Sequence, residues 1–119
     1  MKGSDHLLQK ATVEDDYDLA VAAIEMGANL HQRDSTGSSP LLNSCAKGSK
    51  KLVKLLVDSG GLSDKDDENS LGWNPLLISV QFRNLEIVEF LLSIGVDVER
   101  RNSDGDTALY IACRDGCIE

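Results

Sequence analysis

The side chains in this 119-residue sequence best suited to chemistry are three cysteines, two histidines and one run of acids. Cys113 and Cys117 stand four apart, a spacing that brings two metal ligands together on one helix, while Cys45 is distant. Zinc normally takes four donors, and no other sulfur or imidazole lies close to that pair, so no metal is expected. Asp64, Asp66, Asp67 and Glu68 suggest calcium. An EF-hand loop counted from Asp64 requires Gly at its sixth position and Glu at its twelfth, where this sequence has Asn69 and Pro75. The run therefore reads as a solvated acidic loop. A nucleophilic Ser or Cys needs a base and an orienting group beside it. His6 and His31 lie in segments that the repeat described below keeps away from Cys45 and Cys113. No phosphate-cradling glycine loop is present, so the expectation is a chain that is not an enzyme and carries no cofactor.

Charge narrows the partners. The formal net charge is −8, whereas a protein that neutralises phosphates needs a basic stripe. The nearest candidate, Lys50, Lys51 and Lys54, alternates with Leu52, Val53, Leu55 and Leu56 and reads as the solvated face of an amphipathic helix. Nucleic acid is excluded on this basis. No apolar run is long enough to insert in a membrane and no signal peptide is visible. With an odd number of cysteines, the expected setting is a reducing intracellular one, cytoplasmic first and nuclear second.

The elements that must position any functional side chain follow from a repeat. Gly27, Gly60 and Gly95 each close an apolar run, at intervals of 33 and 35 residues, and Gly37, Gly72 and Gly105 form a second series at 35 and 33. After the second series come Ser38-Ser39-Pro40-Leu41-Leu42, Trp73-Asn74-Pro75-Leu76-Leu77 and Asp106-Thr107-Ala108-Leu109-Tyr110. The later half repeats as Leu52 to Val57 and Ile87 to Leu92. Ser39, Asn74 and Thr107 are placed as N-caps, Pro40 and Pro75 occupy the first helical position, and Gly60 and Gly95 suit the left-handed residue that ends a helix. Each unit is thus a turn, a short helix and a longer antiparallel helix.

In these segments the sequence resembles the ankyrin repeat family, whose unit has about 33 residues and a T-P-L-H-x-A core. Thr107 to Ala112, Gly27-Ala28-Asn29-Leu30 and Leu85 to Leu92 carry the likeness. The resemblance implies an all-α, ankyrin-repeat-like solenoid of helix–turn–helix units with finger-like turns, about three and a half repeats long. Register divides it into a degenerate capping repeat at 5–33, a second repeat at 34–66, a third with a lengthened entry loop at 67–101, and a fourth at 102–119 that has only its first helix. In the first repeat Leu7 takes the proline slot, and Glu14, Asp15, Asp16 and Asp18 supply the polar outer face that an end unit requires. At the other end Leu109 and Ile111 are expected to be poorly covered, so the edge packs against further repeats or another chain.

Departures from the family are informative. Leu42, Leu77 and Tyr110 replace the family's histidine, which should loosen the fingers. Arg83 stands where Gly48 and Gly116 mark the turn between helices. Cys45 and Cys113 fall in the small core slot and are expected to be buried there.

The family's concave face, made of fingers and first helices, implies where a partner sits. By register it includes Ser35, Thr36, Ser38, Ala46 and Lys47, then Leu71, Trp73, Gln81 and Phe82, then Ser103, Asp104, Asp106, Arg114 and Asp115. Two of the five aromatics, Trp73 and Phe82, share the central repeat. Aromatic anchors in the middle of a face form interface hot spots, so the expected role is a non-catalytic module binding a protein or peptide segment around Trp73 and Phe82. Asp104, Asp106 and Asp115 suggest that the segment carries a basic flank beside its apolar anchor. The alternative is a structural spacer from a larger ankyrin scaffold or channel, with no dedicated ligand here.

Overall fold

A computed structural model describes residues 3–62 and 68–115. Most of the acidic loop, including Asp64, Asp66 and Asp67, and Cys117 lie outside the described residues. Those residues form seven helices: α1 (Gly3–Glu14), α2 (Tyr17–Glu25), α3 (Pro40–Lys47), α4 (Lys50–Asp58), α5 (Pro75–Gln81), α6 (Leu85–Ser93) and α7 (Ala108–Arg114).

Local chemistry sets the helix starts. Ser39, Asn74 and Thr107 accept from the amides of Leu42, Leu77 and Tyr110, and Asp16 and Ser49 cap α2 and α4 in the same way. Each bond satisfies a donor that the helix leaves orphaned. Pro40 and Pro75 open α3 and α5. The first helix differs from expectation: it begins at Gly3, a turn ahead of Leu7. Asp5 both lies in its first turn and accepts the Asn29 amide at 2.6 Å, tying the cap to the loop after α2.

The helices stack in two rows. The first helices α1, α3, α5 and α7 pack in sequence, the second helices α2, α4 and α6 form the parallel row behind, and α1·α2, α3·α4 and α5·α6 are the antiparallel pairs. The molecule measures 44 × 24 × 23 Å, so each unit meets only its neighbours, as in any solenoid. Its core runs along the seam: Leu8, Ala11, Ala20 and Ala23, then Leu41, Leu42, Cys45, Leu52, Val53 and Leu56, then Leu76, Ile78, Ile87 and Leu91. Burying each Leu or Ile of this kind stabilises by roughly 1.5–3 kcal/mol.

The fingers are braced, not loosened. Leu42 and Leu77 are buried where the family's histidine would stand, and a different residue holds each turn. Asp34 accepts from the amides of Thr36 and Ser38, Asn69 from those of Leu71 and Trp73, and Asn102 from those of Asp104 and Asp106, all at 2.9–3.1 Å. These are Asx turns, in which a short side chain closes its own loop. Successive fingers are then joined, the Ser70 hydroxyl donating to the Thr36 carbonyl at 3.0 Å and the Ser103 amide to the Leu71 carbonyl at 2.9 Å. Gly72 makes the second approach feasible: its φ is +79°, and a Cβ there would stand 2.9 Å from the Ser103 nitrogen.

The slot between paired helices needs a left-handed residue. Gly48 meets it at φ +84°, while Asp15 and Arg83 adopt φ 55° and 57° despite their side chains. The bare Gly48 also admits Asn84, whose amide donates to the Cys45 carbonyl at 2.6 Å and locks the second repeat to the third.

Two expectations for the last unit are overturned. Ile111 is fully buried, because α7 lays that side against α5. Cys113 is exposed while its register-mate Cys45 is buried. The slot is covered by the first helix of the following unit, which α5 provides for Cys45, and among the described residues no element does so for Cys113.

Candidate functional site

The residues assigned to the binding face divide between fingers and the ends of first helices. Leu71, at a finger, is 63 % exposed, and Phe82, the C-cap of α5, is 57 % exposed. Among the described residues, neither belongs to the core cluster or to the side chains packed against it. Phe82 occupies the position of Lys47 in α3, also exposed, so a solvent-facing slot has acquired an aromatic ring. Trp73 behaves differently: it is half-buried and packs against the hydrophobic core. Its ring is therefore partly a structural element of its own repeat, and only part of it is available to a partner. Ser35, Thr36, Ser103 and Asp104 are exposed, Ala46 packs partly on the core, and Ser38 is buried.

The helix ends of the third and fourth repeats are drawn into one polar network. Arg114 donates to the Gln81 side-chain oxygen at 2.9 Å, approaches Asp106 at 3.6 Å and binds Asp115 at 3.1 Å. Its bond to Asp115 holds the guanidinium even more firmly protonated than usual, with Asp106 adding to the effect against some desolvation. Arg83 donates to the Asp115 carbonyl, spanning from the α5–α6 turn to the end of α7. Sequence spacing did not reveal this network, because residues 32 and 33 positions apart meet only once the units stack. It also corrects the charge expectation: two of the three acids thought to attract a basic flank, Asp106 and Asp115, are already paired within the chain.

At the finger base Asp34 is the other perturbed group. Partial burial opposes its ionisation, yet the bonds from the Thr36 hydroxyl, the Ser38 amide, the Asn43 side chain and the Thr36 amide outweigh that and lower its pKa below the ordinary 3.8. It is a structural carboxylate in a closed turn.

The helix pairs, capped fingers and two-row stacking agree with what known sequences show. The family model for ankyrin repeats matches in three copies, over residues 7–102 and 64–119. The chain belongs to the ankyrin repeat family. Among curated proteins, this ankyrin-repeat chain is 34 % identical over 116 residues to human transient receptor potential cation channel subfamily A member 1, covering 92 % of the chain and 10 % of that protein. It is 39 % identical over 72 residues to mouse ankyrin repeat and SAM domain-containing protein 6, covering 60 % of the chain and 8 % of that relative. Human ankyrin repeat domain-containing protein 63 shares 31 % over 103 residues, with 81 % and 27 % covered. The chain thus spans a small part of each relative. Ankyrin repeats generally mediate protein–protein interaction and are a non-catalytic fold. Among the described residues, no helix is long and apolar enough to cross a membrane.

Proposed function

We propose that this ankyrin-repeat chain is a non-catalytic module that binds a protein or peptide segment on its concave face, centred on Leu71, Trp73 and Phe82. The observation that carries the reading is the exposure of Leu71 and Phe82, two large apolar side chains of one central repeat that lie outside the hydrophobic core cluster of the described residues. Lys47 and Asp104 are exposed members of the proposed face. Gln81, Asp106, Arg114 and Asp115 form a pre-arranged polar border, in which the acids are already neutralised in part. Recognition then rests chiefly on apolar anchors, and a basic flank on the partner affects on-rate more than affinity. The unit boundaries at 33/34, 66/67 and 101/102 belong to the same proposal. An intracellular location, cytoplasmic first and nuclear second, suits a chain with an odd number of cysteines.

Capture from cell extract with the wild type and a Leu71→Ala, Phe82→Ala double variant tests this. Each truncation should cost the complex about 2 kcal/mol, while both proteins unfold at nearly the same temperature because the side chains are exposed. Equal recovery of every partner by the folded variant would instead favour a second reading, a spacer within a larger scaffold or channel. That reading draws on the small fraction of each relative, 10 % in the channel protein, that the chain covers.

A further inference from the structure

The ends of the first helices form a row across the concave face. The left-handed residues Asp15, Gly48 and Arg83 put Glu14, Lys47 and Phe82 at one structural position in three successive units, with Val13 beside Glu14. Both α3 and α5 have a first helix packed on either side, so the stacking itself leaves Lys47 and Phe82 in solvent. Val13, 61 % exposed, holds the slot of Gln81, which is exposed between two neighbours as well.

Most charge in this row is met within the chain. Lys10 lies 4.0 Å from Glu14, Arg114 and Asp115 bind each other at 3.1 Å, and Lys47 has no ion-pair partner among the described residues. One side chain from each of three units then reads apolar, cationic, apolar: Val13, Lys47, Phe82. Spacing adds a second constraint. Packed helices lie roughly 8–10 Å apart, and that is the step from one slot to the next along the row. A polyproline II segment has three residues per turn and rises about 3.1 Å per residue, so every third side chain returns to one face after about 9 Å. A β-strand returns a side chain after about 7 Å, and an α-helix after about 5.4 Å, or about 10.8 Å over two turns. Only the polyproline II period falls on the row's own.

We propose that this row receives a polyproline II segment of a partner protein in which an acidic residue is flanked, three positions to either side, by an apolar one. The carboxylate sits over Lys47 and the apolar side chains lie against Phe82 and Val13. The inference rests on the concave-face reading and gives its partner a chemistry. Lys47 calls for one carboxylate and not an acidic run, because the net charge of −8 repels a polyacidic segment. A preformed polyproline II helix also loses little conformational freedom on docking, and an exposed aromatic ring such as Phe82 suits its apolar surface.

The end-blocked peptide Leu-Pro-Pro-Glu-Pro-Pro-Leu has the required spacing and is the probe, titrated to millimolar concentration into isotope-labelled protein and followed by amide NMR. Saturable shifts are expected around Val13, Lys47 and Phe82. Affinity should fall at least about tenfold for Phe82→Ala, about fivefold for Lys47→Glu and several-fold for Val13→Asp. Replacing the peptide's Glu by Lys should weaken binding to the wild type and restore it to Lys47→Glu, a reciprocal rescue that structural damage would not give. All three side chains are exposed, and matched thermal unfolding shows that the variants keep the fold. No shifts at millimolar peptide, or equal binding by folded Lys47→Glu, overturns the proposal. Equal binding by Leu-Pro-Glu-Pro-Pro-Pro-Leu, whose carboxylate is one residue out of step, overturns it too. Capture from extract that depends on Leu71 and Phe82 but not on Lys47 sinks this inference and leaves the concave-face reading standing, so the two failures are told apart.

Discussion

The second repeat and the C-terminal edge are built from the same sequence pattern and end in opposite environments. Leu41, Leu76 and Leu109 occupy one register position, and their exposures are 0 %, 4 % and 64 %. Val53 of α4 is fully buried while Val88 of α6 is only half-covered, and Cys45 and Cys113 repeat the contrast. Nothing in the local first helices explains this, since side-chain N-caps start α3, α5 and α7 alike. The difference lies in the neighbours: α3 and α4 have a unit on either side, whereas among the described residues α6 and α7 pack against helices on one side. In a solenoid, burial is a property of the stack and not of the repeat.

The sharpest way to break that comparison is thiol labelling in a Cys117→Ser background. A maleimide should modify exposed Cys113 at least about a hundredfold faster than buried Cys45, which reacts only when the stack opens. Similar rates would mean that the second repeat opens as readily as the edge. Stability offers a smaller contrast. Leu41→Ala should cost about 3 kcal/mol in urea unfolding, and Leu109→Ala under about 0.5 kcal/mol, the range of surface changes. A large loss for Leu109→Ala would show that an element outside the described residues already covers it.

Acid titration gives the smallest effect and compares the fingers. Asp34 has a lowered pKa in the folded state, whereas its counterparts Asn69 and Asn102 do not ionise. Its stabilising contribution is therefore present above the ordinary carboxylate range and is lost as pH falls through the lowered value. Asp34→Asn keeps an oxygen acceptor for the turn amides and should flatten the decline in urea midpoint below about pH 4. An unchanged acid profile would show that the turn does not depend on the charge.

Much of this molecule was legible from spacing alone. Two glycine series, capping side chains ahead of Pro40, Pro75 and Ala108, and apolar runs at helical spacing are local signals, because turn and cap chemistry act over a few residues. The bracing of the fingers by Asp34, Asn69 and Asn102 was legible in principle, as each stands three residues before its turn glycine, but the missing histidine drew attention elsewhere. Exposure of Phe82 follows from its register with Lys47.

What only the tertiary structure decided depends on contact between units. Trp73 turns partly onto the core, Ile111 is buried while Cys113 is not, and Arg114 gathers Gln81, Asp106 and Asp115 into one network. A one-dimensional pattern reports which residues are equivalent, and equivalence determines local geometry. It does not report which equivalents have a neighbour to bury against, and for this chain that is what separates buried Leu41 and Cys45 from exposed Leu109 and Cys113.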